Sequence, residues 1–81
     1  MEQLAKHRRI GVIQAKIEMW KNTVYDSSLD VKVGALVGNK GLETNAQNRV
    51  KEALQAIDFL EGELAMVDQE PDETEDVSDE P

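Results

Sequence analysis

Eighty-one residues leave room for one small domain at most. The chain has no cysteine, which excludes disulfides and thiolate metal sites, and it has no apolar run approaching the roughly 18 residues of a membrane span nor a signal-peptide core, so a cytoplasmic protein is expected. The net charge of −8 is unevenly spread: residues 1–67 balance basic against acidic side chains, whereas residues 68–81 carry acids and no base.

Helix 1 is expected from about residue 2 to residue 37. Glu2 suits a helix N-terminus, and Gly38-Asn39 suits a left-handed C-terminal cap. Ile10, Ile13, Ile17, Trp20 and Val24 recur at steps of three and four, the spacing of one buried helix face. The rhythm falters at Asp26-Ser27-Ser28. Leu29, Val33 and Leu36 then resume helical spacing on a rotated face, which reads as a stutter or bend, or as a break into two helices at Ser27. Leu29, Val31, Val33, Ala35 and Val37 also alternate with the period of a strand. A β-hairpin tipping two helices, as in prefoldin-like chaperones, would use residues 29–37. No second alternating run follows, so helix is preferred.

Gly38-Asn39-Lys40-Gly41 is a turn signal, and the loop is expected over residues 38–43. Thr44-Asn45-Ala46-Gln47 has capping-box spacing, which starts helix 2 near residue 44. Ala46, Val50, Ala53, Ile57, Leu60, Leu64 and Val67 keep the three-four steps to about residue 67, and Pro71 limits any continuation. Beyond that, low hydrophobicity and dense like charge predict a disordered acidic tail over 68–81. The fold class is therefore all-α: a coiled-coil-like antiparallel two-helix hairpin over residues 1–67, followed by that tail.

The seam does not use up the apolar residues. With Ile10, Ile17 and Val24 at heptad position a and Ile13 and Trp20 at d, Val12, Met19, Leu29, Val33 and Leu36 fall at c or f, and Phe59 and Met66 fall at c in helix 2. A second apolar stripe on a two-helix unit calls for a partner. Burial along a single seam also falls short of the entropy lost in ordering two long helices. The hairpin is expected to self-associate as a homodimer or higher, most simply as two hairpins in a four-helix bundle, with those seven residues as the oligomer or partner interface.

Lys6-His7-Arg8-Arg9 is the only basic cluster. Hairpin pairing sets it beside the end of helix 2, where it would pair electrostatically with the other terminus. A sharper reading makes Lys6, Arg8 and Arg9 a phosphate- or nucleic-acid-binding patch that the tail screens. No metal, cofactor or catalytic residue is expected. His7 is the sole histidine and lacks nearby carboxylates, while Asp58, Glu61 and Glu63 spread around their helix instead of converging. Trp20, Tyr25, Met19 and Phe59 read as packing residues, with Trp20 on the seam near residues 59–63. Gly11, Gly34 and Gly62 interrupt helices; close helix approach would explain them, although Gly62 maps to an outward position.

Ile17-x-x-Trp20, Tyr25, Asp30, Val33, Gly38-Asn39 and Leu54-x-x-Ile57-x-x-Leu60 together resemble small helical-hairpin proteins of tailed bacteriophages, over roughly residues 10–64. The resemblance implies an oligomeric accessory factor or virion component without enzymatic activity, located in the host cytoplasm or the virion. The expected function is a non-enzymatic protein–protein interaction module: an adaptor, assembly factor or inhibitor that binds itself and another protein. Nucleic-acid or phosphate binding through Lys6, Arg8 and Arg9 is the alternative, and a prefoldin-like chaperone the third reading.

Overall fold

The computed structural model describes residues 4–71. Two α-helices, α1 (Lys6–Val37) and α2 (Lys40–Asp68), lie antiparallel against each other as a hairpin. At 1.5 Å per residue they are about 48 and 44 Å long.

The turn is tighter than the sequence suggests. Only Gly38 and Asn39 separate the helices, where a loop over 38–43 was expected. Gly38 adopts the left-handed conformation (φ 74°), and the amides of Gly38 and Asn39 both donate to the Gly34 carbonyl, the latter at 2.8 Å. The Asn39 bond is the 6→1 bond of a Schellman closure and the Gly38 bond the 5→1 bond of a left-handed cap, and glycine enters this turn without a Cβ penalty. Asn39 then caps α2: its side-chain Oδ1 accepts the Leu42 amide at 3.0 Å. Because Asn39 already satisfies an orphan N–H at the start of α2, the helix begins at Lys40, and Thr44 and Gln47 lie inside it instead of forming a capping box. At the other end α1 starts at Lys6, later than the expected residue 2. The Ala5 carbonyl accepts the Arg8 and Arg9 amides there, and residues 1–3 are not described.

Helix α1 is continuous through Asp26-Ser27-Ser28, and residues 29–37 are helical, so neither the break nor the strand forms. The seam does not rotate either. It runs through Ser27, Val31 and Gly34 in the same three-four steps, with Ser27 and Gly34 buried like Ile17. Opposite them α2 buries Ala46, Ala53 and Val67. Bulky residues therefore fill the seam near the chain ends and small ones fill it near the turn. A β-carbon on Gly34 would stand 2.7 Å from the Glu43 amide nitrogen, so the two backbones nearly touch at that point. Gly11 and Gly62, by contrast, face open space, and close helix approach does not explain them.

The acidic tail expected over 68–81 falls largely outside the described residues. Within them, Asp68 ends α2 and the Gln69 amide donates back into its last turn.

Candidate interaction surface

An antiparallel pair with a and d at the seam brings g positions of the two helices together on one broad side and e positions on the other. Two ion pairs verify this placement. Arg9, at g of α1, meets Glu70, two residues past the end of α2, at 2.7 Å, and Asp30 and Arg49, both at g, meet at 3.8 Å. The charges are reversed between the pairs, basic on α1 in the first and acidic on α1 in the second. Sliding one helix past the other would break both.

Position c leans toward the g side on each helix. The c residues therefore project from the same broad side of the hairpin. Val12 on α1 stands level with Met66 on α2, and Met19 stands level with Phe59, all four exposed. Leu29, Val33 and Leu36 continue the outer face of α1 toward the turn, and Leu36 at 84% is the most exposed large apolar side chain described. All seven residues singled out from the sequence are thus on the surface, and none is needed for the seam.

The other broad side carries a groove that the sequence did not indicate. Val24, Tyr25, Ser28, Leu54 and Ile57 line an open groove of about 380 Å³, which continues past Ser28 along Val31, Gln47 and Val50. Tyr25 is 68% exposed and Leu54 53%. Their heptad positions, b and e, are the available signal: the sequence places Tyr25 among the packing residues and gives Leu54 no role beyond the resemblance. Tyr25 thus faces the opposite broad side from Met19 and Phe59, and all three are exposed, so of the four expected packing residues only the half-buried Trp20 packs in the seam.

The basic cluster divides. Lys6 Nζ donates to the Glu70 carbonyl at 2.7 Å and the Asp68 carbonyl at 3.2 Å, meeting the negative end of the α2 dipole. Arg9 holds the Glu70 carboxylate with both terminal nitrogens, at 2.7 and 3.2 Å, while its Nε donates to the Leu4 carbonyl. This fork is the strong form of an ion pair, and with the charges of Arg9 and Lys6 it holds the Glu70 carboxyl below the usual glutamate range against a smaller opposing desolvation. Arg8 is exposed, as is His7. Two of the three side chains assigned to a phosphate patch are therefore engaged in fastening the hairpin's open end.

Asp58, Glu61 and Glu63 occupy b, e and g of α2 and do not converge. Among the described residues no helix is long and apolar enough to cross a membrane. Compared with known proteins, the chain matches no family model, and no curated protein and no solved structure gives a significant match.

Proposed function

We propose that the protein is a non-enzymatic interaction module, an adaptor, assembly factor or inhibitor, that works as a homo-oligomer and presents its remaining apolar surface to another protein. The observation that supports this reading is the row Val12, Met19, Leu29, Val33 and Leu36, exposed on a helix whose own seam is already filled. Exposed apolar side chains at both ends of a stripe about 36 Å long are a contact surface in search of cover. An accessory role of this kind is also what the resemblance to phage-encoded hairpins implies. The engagement of Lys6 and Arg9 with the end of α2 speaks against the phosphate-binding alternative. The chaperone reading loses its strand.

Sedimentation of the full chain tests the proposal. An oligomer that Val33→Asp dissociates, with helical content retained by circular dichroism, is the expected result. A fully folded monomer at all concentrations would remove the basis for the assignment.

A further inference from the structure

The outer stripe of α1 is self-complementary, and this deepens the reading just given, on which it rests. Val12, Ala15, Met19, Asn22, Asp26, Leu29, Val33 and Leu36 follow one another at alternating steps of three and four along the side of α1 turned away from α2, and all are exposed. The stripe is apolar at both ends and polar in the middle. We infer that two copies pair through α1, antiparallel, about a two-fold axis at the level of Val24.

That axis sets Val12 against Leu36 of the second copy, Ala15 against Val33 and Met19 against Leu29. The polar layer closes on itself, with the Asn22 amide donating to the Asp26 carboxylate of the other copy, twice by symmetry. The flanking positions then match in charge. Lys16 comes beside Asp30 of the second copy and Glu18 beside Lys32, again twice each, while Tyr25 meets its own copy near the axis.

Other arrangements lose this agreement. A parallel pair sets Asp26 against Asp26, two like charges in one layer of the seam, which is costly. Shifting the antiparallel pair by one heptad places Asp26 against Leu29 or Ala15 and separates the matched charges. The existing contacts are compatible: Asp30 keeps Arg49 at 3.8 Å, and Glu18 keeps Lys21 at 3.7 Å, one turn away. Phe59 and Met66 lie on α2 and take no part, which leaves them for the second protein.

Charge reversal at Glu18 and Lys32 tests the pairing, because these residues lie fourteen apart on one helix and meet only between copies. Each single change, Glu18→Lys or Lys32→Glu, should weaken dimerisation about tenfold, since two symmetry-related pairs turn repulsive. The double variant should restore it. Val33→Asp should dissociate the dimer, and Phe59→Asp should leave it intact, with circular dichroism and sedimentation equilibrium run on every variant. A dimer that the double reversal fails to restore, or that Phe59→Asp breaks as readily as Val33→Asp, overturns this arrangement while self-association itself stands. A wild-type chain that stays monomeric overturns both.

Discussion

Gly34 passes so close to Glu43 that any β-carbon at residue 34 would press on the backbone of the opposite helix, 2.7 Å from its nitrogen. Backbone cannot swing aside like the end of a long side chain. The pairing of α1 with α2 near the turn therefore depends on the absence of a side chain there. Gly34→Ala should destabilise the fold by about 1–3 kcal/mol, the range for overpacking. Gly11→Ala and Gly62→Ala, in open space on helices, should each stabilise it by about 1 kcal/mol. Urea midpoints at one fixed protein concentration give all three signs; a stabilised Gly34→Ala would contradict the close approach.

Ser27 is 1% exposed, and its hydroxyl has no hydrogen-bond partner among the described residues. A buried hydroxyl left in this state costs about 1–3 kcal/mol. Ser27→Ala keeps the small volume the seam needs there and removes the polar atom, so thermal stability should rise. A fall of similar size would mean that the hydroxyl is satisfied in solution.

The position of the α2 cap yields a paired test. Asn39→Ala removes the side chain that accepts the Leu42 amide and should cost about 1 kcal/mol. Thr44→Ala, at the residue the sequence suggested as the cap, replaces an interior residue by a better helix former and should be neutral or slightly stabilising. The reverse order in chemical denaturation would return the start of α2 to residue 44.

Glu70 gives the hairpin a dependence on acid. Its carboxyl titrates below the ordinary glutamate value of about 4.3 because Arg9, and then Lys6, favour its charged form. A group whose folded pKa is depressed contributes stability above its unfolded pKa and loses it as pH falls through the folded one. The wild type should therefore lose more melting temperature between pH 6 and pH 3 than Glu70→Gln does. Equal slopes would show that the Arg9 fork does not persist in water.

How far the sequence disclosed all this depended on side-chain size. Ile10 to Val24 and Ala46 to Val67 gave both helices and their pairing, since each layer there carries a recognisable apolar residue. The layers at Ser27 and Gly34 were misread because a small residue can be buried without being hydrophobic. Leu29 and Val33, the nearest large apolar residues, lie on the outer face and so mimic a bend in the seam. The turn was overestimated for a related reason. Thr44 and Asn39 both have capping side chains, and only geometry decides between them. The outer stripe was legible as residue types, but its symmetry emerged only once the seam had fixed which way each position faces.

The Lys6 and Arg9 contacts to Glu70 bring residues 4 and 71 to one pole of the rod, leaving Gly38 and Asn39 alone at the other. Residues 4 and 71 therefore stand as neighbours, like the two ends of a cord drawn to one handle. A probe attached at residue 4 or at residue 71 would report on that pole, and one at Gly38 or Asn39 on the far tip.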